Sequence, residues 1–155
     1  MTLLKNRAWQ QKALEALTTW LASDGRIEDF LLGKEVLQEM IAALSDRDTL
    51  YALCHQMLLL CHRSPRLSIA LSVNTRVLQI LVANLINTDA SNVLSILRFL
   101  DILYAHHPQP KTVVITQDLL ERLEHLSQES IAGDMLLVKE KARNMISSLY
   151  FNSIM

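Results

Sequence analysis

The side chains best suited to chemistry in this 155-residue chain are five histidines, two cysteines and a scatter of serines and carboxylates. His55 and His62 stand seven residues apart, a spacing that puts both imidazoles on one helix face, where they could hold a metal or move a proton. Zinc wants three or four converging ligands, and Cys61 beside His62 faces another way, because adjacent helical positions diverge. His62 and the His106–His107 pair fall where helices are expected to end, a place that favours a positive side chain against the helix dipole. Cys54 and Cys61 are also seven apart, within an apolar helical pattern, and lack the C-x-x-C spacing of metal and redox sites. They read as buried free thiols, which suits a reducing compartment. No metal and no cofactor are expected.

Nucleophilic catalysis finds no support either. Ser23, Ser45, Ser64 and Ser91 fall at helix boundaries as capping residues, and no other serine sits in a G-x-S-x-G context. Gly25, Gly33 and Gly133 are too far apart to build a phosphate-cradling loop. The carboxylates are scattered among lysines and arginines in the manner of solvated helix faces. A net charge of −1 lacks the basic excess of a nucleic-acid binder. An enzyme is therefore not expected.

The elements that position these residues are helices. Half the chain is apolar and a fifth charged, enough to bury one core in a single domain over 1–155, and three glycines with three prolines leave little room for a β-rich fold. Asn6, Asp46, Thr88 and Asp134 each precede a long stripe of apolar residues at i, i+3 and i+4. Between them lie a short segment and a medium helix: Ile27–Leu32 with Lys34–Leu44, Arg66–Ser72 with Thr75–Ile86, and Thr112–Ile115 with Asp118–Leu126. Ser64-Pro65 supplies a cap and a first-turn proline for the second short helix. The cap spacings, roughly 40, 42 and 46 residues, match armadillo and HEAT repeats. One such unit cannot bury its apolar face alone, so neighbours stack. The expectation is an all-α, right-handed armadillo/HEAT-like solenoid: repeats at about 7–45, 46–87 and 88–130, closed by a C-terminal helix at about 134–150. The greasiest stretch, Leu67–Ile86, is broken by Asn74, Arg76 and Asn84 and reads as core, not as a membrane span. The N-terminus has no apolar run of a signal peptide.

Charge is distributed unevenly. From Thr49 to Thr88 there is no acidic residue, while Arg63, Arg66 and Arg76 remain; acidic residues crowd both flanks. On the Thr75–Ile86 helix the apolar arc leaves a stripe of Arg76, Gln79 and Ile80, with Asn84 at its boundary. These six residues are the candidate contacts for a protein partner; the plainer alternative is that a central unit has less exposed area and so fewer charges. Three arginines neutralise too few phosphates to hold nucleic acid. The tail Leu149, Tyr150, Phe151, Ile154 and Met155 is apolar. Either it folds back, or the natural chain continues, or it joins copies in a structural homodimer or assembly.

Three stretches resemble a known family. They are Gln10–Leu17 running into Trp20–Asp24 and Arg26–Glu28; Ile69–Asn74; and Leu100–Lys111, whose run Tyr104-Ala105-His106-His107-Pro108-Gln109-Pro110-Lys111 is the most specific. They look like the armadillo-like, non-catalytic region of fungal septation-initiation and mitotic-exit protein kinases, shared by the epsilon-type MAP kinase kinase kinases of plants. The likeness covers about 10–126. It implies a regulatory piece of a kinase coupling mitotic exit to cytokinesis, a cytoplasmic protein brought to the spindle pole body or division site, and contact with a small GTPase or scaffold. The chain itself has no glycine loop, His-Arg-Asp or Asp-Phe-Gly, so any kinase activity would belong to another domain. The Tyr104–Lys111 run has its own physics: Pro108 and Pro110 are expected to end the long helix and hold an extended elbow against which Tyr104 packs. That elbow is either a structural corner or a recognition knuckle using Tyr104, His107 and Lys111.

Overall fold

The computed structural model describes residues 6–85, 89–116, 118–128 and 136–154. Among them are ten α-helices and no strand: α1 (Arg7–Leu21), α2 (Arg26–Leu31), α3 (Lys34–Leu44), α4 (Arg47–Arg63), α5 (Pro65–Ser72), α6 (Thr75–Ala83), α7 (Ala90–His106), α8 (Pro110–Thr116), α9 (Leu119–Gln128) and α10 (Leu136–Ile154). The fold is all-helical. Long, short and medium helices follow one another as 15, 6 and 11 residues, then 17, 8 and 9, then 17, 7 and 10, before the 19 residues of α10.

Local chemistry explains where the helices start. The side chains of Asn6, Asp46 and Asn74 accept hydrogen bonds from the backbone N–H groups of Ala8, Asp48 and Val77, satisfying donors that have no partner inside the helix. The Ser64 hydroxyl accepts from Leu67 N at 3.1 Å, and Pro65 occupies the first turn of α5, where a missing N–H costs nothing. At α7 the cap is Asp89, one residue beyond the expected Thr88, which lies outside the described residues; its carboxylate accepts from Asn92 N. The expected cap at Asp134 also lies outside them. Gly33 opens α3, where an added Cβ would come within 3.1 Å of the Phe30 carbonyl. Asp118, with φ of 51°, turns the chain into α9 through the left-handed region that short polar side chains tolerate.

One expectation about the elbow needs correcting. α7 does end at His106, but Pro110 is the first residue of α8 and not part of an extended segment, so the bend is confined to residues 107–109. A first-turn proline explains why.

The long helices stand in a row. α1 packs on α4, α4 on α7 and α7 on α10, while α3 packs against α4 and α6, α5 against α4, α6 and α7, and α10 against α8 and α9. Their shared core includes Leu14, Leu53, Met57, Leu60, Phe99 and Leu103, all at most 1 % exposed. The greasy stretch lies within that core, with Leu67, Leu71, Val77, Leu78, Leu81, Val82 and Leu85 buried. No single helix among the described residues is long and apolar enough to cross a membrane; α5 and α6 would be so only as a pair, and they meet at 79°.

Candidate partner-binding surface

The three arginines of the acid-free stretch all reach back to the first helix triplet. The Arg63 guanidinium, at the end of α4, donates to the backbone carbonyl of Thr18 in α1. Arg66, at the start of α5, pairs with Glu28 at 3.1 Å and Asp29 at 3.3 Å in α2. Arg76, at the start of α6, donates to the Ser45 hydroxyl at 3.2 Å. Arg63 and Arg66 thus share one end of the row. Arg76 meets the residue just before the cap of α4, about 25 Å of helix away from Arg63. All three remain exposed.

The stability cost of these contacts is measurable. Arg63→Ala removes a charged donor from a main-chain acceptor and is expected to cost about 1 kcal/mol or somewhat more. Arg66→Ala breaks a largely exposed pair, is expected to cost less than about 1 kcal/mol, and should cost nothing in high salt. Urea unfolding of both variants at low and high ionic strength checks the pair of values.

The other candidates divide between surface and frame. Gln79 is exposed on α6, and Ile80 beside it is half-buried against the core. Asn84 closes the helix: its side-chain amide donates to the Ile80 carbonyl at 2.7 Å, satisfying an acceptor freed at the helix end. Tyr104 is 5 % exposed, and its backbone carbonyl accepts from His107 N at 3.2 Å. His107 ends α7, and its Nδ1 accepts from Gln109 N at 2.9 Å, holding the bend, while Lys111 is exposed on α8. In the apolar tail, Leu149 is buried, whereas Tyr150 and Phe151 are exposed, the Tyr150 hydroxyl donating to Glu124 at 3.4 Å. The side chain of Ile154, and Met155, lie outside the described residues.

The reactive-looking side chains have structural surroundings. Cys54 and Cys61 are free, 0 % and 1 % exposed, and burial pushes both thiols up to about 12; the Ser68 hydroxyl beside Cys61 pulls the other way and is outweighed. His55 and His62 are exposed on α4. His106 is bonded through Nδ1 to the Ile102 carbonyl at 2.9 Å. No group of three possible metal ligands occurs among the described residues.

A feature not anticipated from sequence lies across the row. Leu58 and His62 of α4, Arg98, Asp101, Ile102 and Ala105 of α7, and Lys141 of α10 line a cavity of about 320 Å³. Its lining mixes aliphatic and charged side chains, with Lys141 and Asp101 forming an ion pair that ties α10 to α7. His62, Asp101 and Lys141 sit about 40 positions apart in the chain. Of the lining residues only His62 stood out in the sequence as a candidate, and only the side-by-side packing of long helices brings it to Arg98, Asp101 and Lys141.

No family model matches the chain, and no solved structure does. Among curated proteins, it is 27 % identical over 165 aligned positions to MAP3K epsilon protein kinase 1 of Arabidopsis thaliana and 28 % identical to the protein of the same description from Brassica napus. It is 26 % identical over 164 positions to MAP3K epsilon protein kinase 2 of Arabidopsis thaliana. Each likeness takes in the whole of this chain and 12 % of the plant kinase. The chain is therefore similar, from end to end, to one small segment of these large kinases.

Proposed function

We propose that the chain is a non-catalytic, armadillo-like regulatory region that binds another protein on behalf of a kinase acting in mitotic exit and cytokinesis. What carries the reading is the uninterrupted row of long helices, joined to an end-to-end likeness that involves only 12 % of each plant kinase. In armadillo phase the units run short, medium, long: α2–α4, α5–α7 and α8–α10, with α1 as a leading long helix. Such a row buries its grease between neighbours and leaves continuous faces free to grip a partner. The partner proposed is a small GTPase or a scaffold of the pathway, met on the exposed side of α6 through Arg76, Gln79 and Ile80, with Arg63, Arg66 and the His107–Lys111 corner as more distant contacts. The place of action is the cytoplasm, with recruitment to the spindle pole body or division site.

Affinity purification of the chain from dividing cells tests this. A variant carrying Arg76→Glu and Gln79→Ala, both at exposed positions, should keep its helical circular dichroism and recover at least about tenfold less of a GTPase or scaffold, the loss of a central contact. Equal recovery with the variant removes the α6 face.

A further inference from the structure

The cavity between α4, α7 and α10 holds charges that do not balance. α7 supplies Arg98, Asp101 and Ile102, at i, i+3 and i+4 and therefore on one face of the helix. α4 supplies Leu58 and His62, one turn apart, and α10 supplies Lys141. The Lys141 ammonium is paired with the Asp101 carboxylate, so those two charges offset each other. Arg98 shares its helix face with Asp101, yet makes no hydrogen bond or ion pair among the described residues, and neither does His62. Two cations facing one carboxylate leave a single positive charge over, and it stands on the residue without a partner.

The unused groups say what the cavity can hold. A guanidinium presents its N–H groups as a rigid fork that meets two oxygens of one anion at once, and all those of Arg98 are open. Lys141 spends itself on Asp101 but carries three donor hydrogens, so it can accept a second anion beside the first. Leu58 and Lys141 are half-buried and Ile102 is buried, so the charges lie against aliphatic walls, where an ionic contact is worth more than in open water. At about 320 Å³ the space stands at the lower end of ligand pockets and has room for a side chain or two. The surplus of one positive charge selects among anions. A carboxylate cancels it, whereas a phosphate monoester, with nearly two negative charges, would leave an excess beside Asp101.

We propose that the cavity between α4, α7 and α10 is a binding site for an acidic peptide, which places one aspartate or glutamate carboxylate on Arg98 and an adjoining aliphatic side chain against Leu58 and Ile102. Lys141 adds a second cation to the same anion. Asp101 holds Lys141 in place and, by repulsion, turns away a doubly charged group, so the site prefers a carboxylate to a phosphorylated side chain. The His62 ring, with both nitrogens unbonded, is left to meet the peptide's main chain. α6 contributes nothing to this cavity, so the site and the α6 face can each fail alone.

The probe is the peptide Ser-Gly-Glu-Leu-Gly-Ser, acetylated and amidated so that its glutamate side chain is its sole carboxylate, titrated into the protein and followed by NMR. Saturable shifts should centre on the Arg98 side-chain N–H and the Ile102 methyls, with a Kd on the order of a millimolar, the reach of so small a contact. Glutamine in place of the glutamate should weaken binding at least about tenfold, and so should Arg98→Gln, which alters an exposed position and should keep the helical circular dichroism. Phosphoserine in place of the glutamate should bind no tighter. Asp101→Asn should act in the opposite direction, binding the glutamate peptide about threefold tighter or more and the phosphoserine peptide tighter still, because a repelling charge is gone and Lys141 is released. A purely structural ion pair would give no such gain. Equal binding of the glutamate and glutamine peptides, an unaffected Arg98→Gln variant, or a preference of the parent protein for phosphoserine overturns the proposal. So does weaker binding by an Asp101→Asn variant that keeps its thermal midpoint. Shifts centred on other arginines, or shifts that arise on concentrating the protein alone, also overturn it; the latter would put a second copy's carboxylate in the cavity.

Discussion

Phe99→Ala is expected to lower the stability of the protein by about 3–5 kcal/mol, the range found when a fully buried aromatic ring is removed from a site that cannot collapse. Phe99 is 0 % exposed, and α7, which carries it, packs against α4, α5, α6, α8 and α10. No single helix can move inward to fill the space without leaving another neighbour. Against a total stability of about 5–15 kcal/mol this is a large share. For a chain of this size the midpoint of a thermal melt should fall by roughly 6–20 °C. α7 stands between α4 and α10, so weakening it also loosens the link between the first and last long helices. The melt followed by helical circular dichroism should therefore separate from the melt followed by Trp9 and Trp20, which both lie in α1. Leu59→Ala, at an exposed position on α4, is the control and should stay within about 0.5 kcal/mol of the parent. A single coincident transition at an unchanged midpoint would show that α7 is not the centre of the packing.

The difference between what could be read early and what could not follows from the range of each interaction. Asn6, Asp46 and Ser64 were legible as caps because a cap acts within three residues, and the long–short–medium order was legible because apolar periodicity is a property of each helix. Pro110 was misjudged at the same short range, and the capping role of Asn84 was not read there. An exposed-looking asparagine closing a helix, or a proline opening one, depends on whether the helix ends a residue earlier or later. Arg63, Arg66 and Arg76 were legible as cations in an acid-free stretch. Their partners at Thr18, Glu28, Asp29 and Ser45 were not, because those lie 31 to 45 residues away and meet them only through stacking. The cavity lined by His62, Arg98, Asp101 and Lys141 was invisible for the same reason. Trp9 and Trp20 were legible only as members of an apolar stripe. That both are exposed is stated by no local pattern.

The buried thiols should make the protein lose stability in alkali. Cys54 and Cys61 are pushed from the ordinary value near 9 up to about 12, because burial disfavours the thiolate and only the Ser68 hydroxyl near Cys61 opposes it. Between those values the folded chain keeps both thiol protons while the unfolded chain releases them, so unfolding gains free energy with each step in pH. The contribution is fully present below pH 9 and is lost as pH rises towards 12, at about 1 kcal/mol per pH unit for each thiol. Urea midpoints at a series of pH values from 8 to 11 should fall accordingly. The same series on the Cys54→Ala, Cys61→Ala variant should be flatter, although it starts lower for want of two packed side chains. Every other ionisable group is common to both proteins, so the difference between the two slopes belongs to the thiols. The same burial predicts slow labelling: at pH 8 a disulfide reagent should meet on the order of a thousandfold less thiolate in the folded chain than in the unfolded one. Labelling should then keep pace with unfolding, and a denaturant that speeds unfolding should speed it equally. Rapid modification of either cysteine under native conditions would mean that α4 opens without the rest of the row, and that the core between α1, α4 and α7 does not behave as one packed body.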